Sequence, residues 1–261
     1  MILALDVGNT CTVIGCFKGG DLVFKASIES ARSKTEYEYA ATFHSIVSMH
    51  GIGAEDITGA IISSVVPKLT LTLKKSLKLV FGTEALIVGP GIKTGVKLRC
   101  DDPASVGADL VCASAASSLY TPPCLIIDMG TATKMIYINS AGEFEGVVIT
   151  AGIGISLDAL IKCTSQLPEV TLEAPKRIVG KNTADSIRSG AIYGSAAMLD
   201  GMIDRITAET GGNLNVIGTG EQISLVAAYC KHSFHIDENL LLKGLNIIYN
   251  KNASIKGNFH K

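Results

Sequence analysis

The chain has 261 residues, 47% of them hydrophobic, which is enough for two domains of ordinary size and a large core. A formal net charge of −1 with no basic cluster gives no footprint for a nucleic-acid partner. No apolar run is long enough to span a bilayer, so no membrane role is expected.

The apolar start Met1 to Leu5 reaches Asp6 with no basic segment before it, and a cytoplasmic protein is expected. Strand-like segments follow at Ile2 to Leu5, Thr12 to Phe17 and Asp21 to Ser27, then a helical pattern from Glu36 to His50. Next come a strand from Gly59 to Ser64, a helix from Lys68 to Phe81, a strand from Ala85 to Val88 and a helix from Val106 to Leu119. The second half repeats this grammar. Strands are read at Cys124 to Ile127, Lys134 to Ile138, Glu145 to Thr150 and Asn215 to Ile217. Helices are read at Ile155 to Ile161, Ala184 to Glu209, Gln222 to Cys230 and Leu240 to Tyr249. Three hairpin-joined strands, then strands alternating with helices, twice over, describe a duplicated α/β fold. Thr121-Pro122-Pro123 marks the boundary, giving lobes of 1–120 and 121–261 and leaving the final helix able to pack back across the first lobe.

The duplication is visible residue by residue. Leu5-Asp6-Val7-Gly8-Asn9-Thr10 recurs without a gap as Ile127-Asp128-Met129-Gly130-Thr131-Ala132, an offset of 128 − 6 = 122, and Val13-Ile14 then falls on Met135-Ile136. In each copy an apolar strand delivers a carboxylate, a glycine two residues on allows a sharp turn, and hydroxyls follow at Thr10 and Thr12 or at Thr131 and Thr133. Exposed amides and hydroxyls suit phosphate oxygens, and an Asp at a strand end can hold a neutralising cation. The loop feeds a second strand, unlike the helix that follows a Walker loop. A two-lobed phosphotransferase is the expected class.

Seven cysteines, without a C-x-x-C pair, read as reduced and mostly buried thiols. His232 and His235 have no cysteine or acidic partner at zinc spacing and read as ordinary surface or core histidines. Lys134 could reach a phosphate, but a lysine on a hairpin reads first as solvated. Lys68 to Lys75 reads as a core-packing amphipathic helix, and Glu29, Arg32, Thr35 and Glu36 as a polar surface loop.

Several motifs in this order resemble the type III pantothenate kinases of the acetate and sugar kinase, actin and heat-shock chaperone superfamily. They are Asp6-Val7-Gly8-Asn9-Thr10, Ile62-Ser63-Ser64-Val65-Val66-Pro67, Gly107-Ala108-Asp109, Asp128-Met129-Gly130-Thr131-Ala132-Thr133, and Asn182-Thr183 followed by Ser189-Gly190 and Gly194. The resemblance implies tandem ribonuclease H-like (actin-like ATPase) lobes, each with a mixed sheet flanked by helices. It implies that Asp6, Val7, Gly8, Asn9, Thr10, Cys11, Thr12 and Val13 contact ATP phosphates, with Asp6 serving magnesium through phosphate or water, and that Thr131 touches ATP from the second lobe. It implies pantothenate at Gly107, Ala108, Asp109 and Thr183, Asp109 as the base, potassium or ammonium at Asp128, and a homodimer. The expected product is 4′-phosphopantothenate, on the route to coenzyme A. From the residues alone, Asp109 is also a helix N-terminal acid complementing the dipole.

The chain departs from that pattern in its acceptor half. Leu110 stands where an arginine is expected beside the substrate, and Cys100 where a tyrosine is expected. Gly146-Val147, Ala151-Gly152 and Gly218-Thr219-Gly220-Glu221 are further departures. Two other functions fit these residues: a catalytically degenerate ligand-binding regulator, or a kinase for another small hydroxyl acceptor. A hydrolase of phosphate chains on the same fold is a third.

Overall fold

In the computed structural model, residues 1–256 are described. They form two compact units. The first holds Met1–Lys97, Asp101–Ser118 and the chain from Asn239, and the second holds Leu98–Cys100 and Leu119–Glu238. The single boundary near residue 120 is therefore replaced by an interleaved division, in which the final helix joins the first unit and Leu98–Cys100 the second.

The first unit is built on a five-stranded sheet in the order β3-β2-β1-β4-β5. Its strands are β1 (Ile2–Val7), β2 (Cys11–Lys18), β3 (Asp21–Glu29), β4 (Gly59–Ser64) and β5 (Leu86–Ile87). The hairpins make β1–β2 and β2–β3 antiparallel, whereas β4 and β5 join in parallel after helical crossovers. Those crossovers contain α1 (Glu36–Met49) and α2 (Pro67–Phe81). Thr35 caps α1 in a capping box with Glu38, and Pro67 opens α2 at a position where its missing N–H costs nothing. Leu3, Leu5, Ile14, Ile62, Phe43 and Leu73 meet in one buried cluster.

The second unit repeats the plan in the order β10-β9-β6-β7-β8. Here β6 (Cys124–Met129), β7 (Ala132–Ile138) and β8 (Phe144–Ala151) form the antiparallel meander, and β9 (Asn215–Thr219) and β10 (His235–Ile236) add in parallel. Its helices are α4 (Ile153–Lys162), α5 (Thr183–Thr210) and the short α6 (Ile223–Ala227). Asn182 caps the start of α5, and Gly211, in the left-handed region at φ 74°, ends it. Both lobes thus have the duplicated mixed-sheet fold expected from the repeat.

Two helices complete the first unit: α3 (Ala108–Ala116) and α7 (Leu240–Lys256). They pack on each other, and α7 also meets β1 and β4. The approach is close because position 244 is glycine: a Cβ there would run into the Cys112 carbonyl. Asn246 and Asn252 then tie α7 to the carbonyls of Gly19 (3.1 Å) and Lys93 (2.9 Å). These close packing and polar contacts are why the last helix belongs to the first unit.

Candidate active site

The first loop lies between β1 and β2. The Gly8 N–H donates to the Cys11 carbonyl at 3.0 Å and closes the turn, which leaves Asn9 and Thr10 at an exposed tip. Asp6 is half-buried at the end of β1, paired in register with Val13 on β2 and Ser63 on β4. Two side chains expected at the phosphates point elsewhere. Val7 is buried in the core, and the Thr12 hydroxyl is buried against the Ser30 hydroxyl at 2.8 Å, so alternation along the strands turns both inward. Arg32, from the stretch read as a plain surface loop, donates to Asn9 Oδ1 at 3.0 Å and brings a guanidinium to the loop tip. Position in sequence gave no sign of this contact.

Asp109 sits in the first turn of α3, two residues after the N-cap Gly107. The start lies later than Val106 because Pro103–Ser105 form a separate 3-10 turn, capped by the Asp102 side chain. The charges of Asp6 and Asp109 both act on the Cys112 thiol. Burial pushes that thiol well above its ordinary pKa, and the Asp6 and Asp109 carboxylates push the same way, opposed by the Ser63 hydroxyl. It stays neutral and serves as packing.

Leu110 is buried, as is every residue from there to Ala116. Its side chain packs with the core face of α3. Cys100 is half-buried in the second unit, on a short segment held to β8 by a Leu98–Phe144 bridge and by the Arg99 N–H donating to the Phe144 carbonyl at 2.7 Å.

In the second unit the repeated loop is tighter. The Gly130 N–H donates to the Ala132 carbonyl, two residues on rather than three. Thr131 lies exposed at the tip and accepts from the Gly152 N–H at 3.1 Å through its carbonyl. A Cβ at position 152 would collide with the Gly130 carbonyl, so the glycine is what lets α4 start against this loop. Asp128 is 6% exposed, and Lys134 Nζ lies 2.6 Å from its Oδ2. Lys134 is thus a buried partner rather than a solvated hairpin lysine, and the potassium or ammonium expected at Asp128 meets a carboxylate that already carries an ammonium group.

Thr183, the first residue of α5, lines a cavity of about 570 Å³ together with Thr133, Thr150, Ser156, Ser186 and Met198. That volume is in the range of sites for small organic ligands. His232 bonds Asp204 at 2.8 Å, and His235 packs edge-on to Tyr120. Among the described residues no cluster of three or more His, Cys, Asp or Glu side chains could hold a metal. Magnesium places a lighter demand, one or two carboxylates plus substrate phosphates, and half-buried Asp6 beside the loop tip meets it.

Two ribonuclease H-like lobes, each presenting a carboxylate and a tight loop at the end of its central strand, define a member of the actin-like ATPase and sugar kinase fold. Solved structures agree on that fold. The chain resembles the activator of 2-hydroxyisocaproyl-CoA dehydratase from Clostridium difficile (TM-score 0.56, 13% identity, 100% of this chain and 97% of that one). It also resembles an ethanolamine utilization protein from Carboxydothermus hydrogenoformans (TM-score 0.54, 12% identity, 94% and 88%).

Sequence narrows the class. The model of type III pantothenate kinase matches residues 2–205. A type III pantothenate kinase of Halalkalibacterium halodurans is 42% identical, covering 97% of this chain and all of that one, and one from Koribacter versatilis is 38% identical over 97% of each. The chain belongs to the type III pantothenate kinase family.

Proposed function

We propose that the protein phosphorylates pantothenate with ATP to give 4′-phosphopantothenate, the first step of coenzyme A biosynthesis. The observation that carries the reading is the family match along nearly the whole chain, to which the first unit adds Asp6 at the end of β1 and Asp109 in the first turn of α3. Asp6 would hold magnesium, whose chemistry is to neutralise the β- and γ-phosphate charge. Asn9, Thr10 and Arg32 orient the phosphates at the first loop, and Thr131 contributes at the second. Asp109 accepts the hydroxyl proton of pantothenate as its oxygen bonds the γ-phosphorus, while the bridging oxygen leaves with ADP. Phosphoryl transfer of this kind is loose, so placement of the carboxylate matters more than its basicity. Gly107 and Ala108 flank the proposed base in the first unit; in the second unit, the cavity at Thr183 has the volume for a small organic ligand.

The homodimer reading is supported by β8, the edge strand of its sheet, which is exposed on both faces from Val148 to Ala151 and neighbours exposed Ile155 and Leu160 on α4. Seven free cysteines fit a reducing cytoplasm. No helix among the described residues is long and apolar enough to cross a membrane.

The test is ADP release measured over a panel of pantothenate-like alcohols. Turnover that depends on pantothenate is expected; ATP binding without turnover on any acceptor would overturn the reading.

A further inference from the structure

The internal repeat breaks at one point, and the break has chemical content. In the first lobe the ladder pairs Asp6 with Val13. The offset of 122 makes Met135 the equivalent of Val13, yet Asp128 pairs with Lys134. The cause is the turn: Gly8 bonds the residue three along, Gly130 the residue two along, so the returning strand is advanced by one. A one-residue slip exchanges the faces of a strand. It places Lys134 where the first lobe has an aliphatic side chain.

The result is an ion pair with little solvent. Lys134 Nζ stands 2.6 Å from Asp128 Oδ2, and the two side chains are 16% and 9% exposed. A carboxylate so buried needs a compensating charge. Family resemblance assigns that charge to a bound monovalent ion, but the ammonium already present is of the same sign and magnitude and is tethered to the facing strand. A second cation at the same oxygens would face its repulsion, and a tethered group competes at a high effective concentration.

We propose that the Lys134 ammonium is the resident cation at Asp128, and that this chain phosphorylates its acceptor without a potassium or ammonium ion. The proposal rests on the kinase reading for its activity arm alone. The charge that would otherwise come from solution is carried in the sequence.

The experiment compares wild type with Lys134→Thr and Lys134→Arg, assayed with ATP, magnesium and pantothenate at constant ionic strength in choline chloride, potassium chloride or ammonium chloride. Wild type and Lys134→Arg are expected to differ by less than about twofold among the three salts, and Lys134→Thr to lose at least about tenfold in choline and recover in potassium or ammonium. Thermal midpoints give a second readout: potassium should raise that of Lys134→Thr and leave wild type unmoved relative to choline. A wild type that needs potassium by tenfold or more, or is stabilised by it, overturns the proposal. So does a Lys134→Thr protein as active in choline as wild type. Should Lys134→Thr fail to fold, the wild-type and Lys134→Arg salt series decide. If no salt gives turnover while ATP binds, the kinase reading has failed, and the thermal arm still decides where the cation resides.

Discussion

Asp6 and Asp109, brought together from β1 and α3, bear on the same buried thiol of Cys112. On the roles proposed above, both carboxylates belong to one unit. Replacing Asp109 by Asn keeps the shape and removes the proton acceptor. A loss of about 10²–10⁴-fold in kcat is expected, with nucleotide affinity unchanged. Single-turnover kinetics beside ATP titration checks it, and near-normal turnover would remove Asp109 from the role of base.

Leu110 offers a test of packing against recognition. As a core residue it should lose about 2–4 kcal/mol of stability as Leu110→Ala, measured by urea unfolding. Leu110→Arg should be at least as damaging, because it buries a charge in a helix enclosed on all sides, and it should not lower the Michaelis constant for pantothenate. A stable Leu110→Arg with tighter acceptor binding would return the position to the substrate.

The thiols predict an alkaline limit. Burial raises Cys124 to about 11 and Cys230 to about 12, the latter helped by Asp200, and Cys112 is raised well above its ordinary value. In the unfolded chain these groups ionise near 8.5, so above that pH the unfolded state binds fewer protons and is favoured. Stability should be unaffected by them below about pH 8.5 and then fall, by at most about 2 kcal/mol for each thiol near pH 10. Chemical denaturation across pH 7–10 measures it. In the same range a thiol reagent should label exposed Cys163 at once and spare Cys112 and Cys124.

The apolar edge of β8 predicts association. Sedimentation at micromolar concentration should show a dimer, and Ile149→Lys, at a residue 60% exposed, should yield monomer with an unchanged thermal midpoint for each lobe's core. A wild-type monomer at that concentration would count against the dimer.

Much of this was legible in the residues, for identifiable reasons. Asp6 and Asp128 could be found because a repeated strand, acid and glycine leave a mark that no single turn does. The helix read from Ala184 to Glu209 came within one residue of each end of α5, where Asn182 and Gly211 supply local cap chemistry. The direction of Leu110 was not legible, because α3 is buried from Leu110 to Ala116 and its pattern carries no polar face. The two-residue β10 is too short to show any period. Lys134 was invisible for a subtler reason: an ungapped sequence repeat hid a turn shorter by one hydrogen-bonded residue, and only pairing reveals which side chain faces Asp128.

The seat of α7 in the first unit also sets a schedule. Chains emerge from the ribosome in order and lobes fold as units. Leu119–Glu238 can therefore close into a finished second lobe while the first still lacks the helix whose Gly244 nests against Cys112. The lobe made earliest is the one completed last, and a nascent chain halted before Asn239 would expose the faces of α3, β1 and β4 that α7 covers.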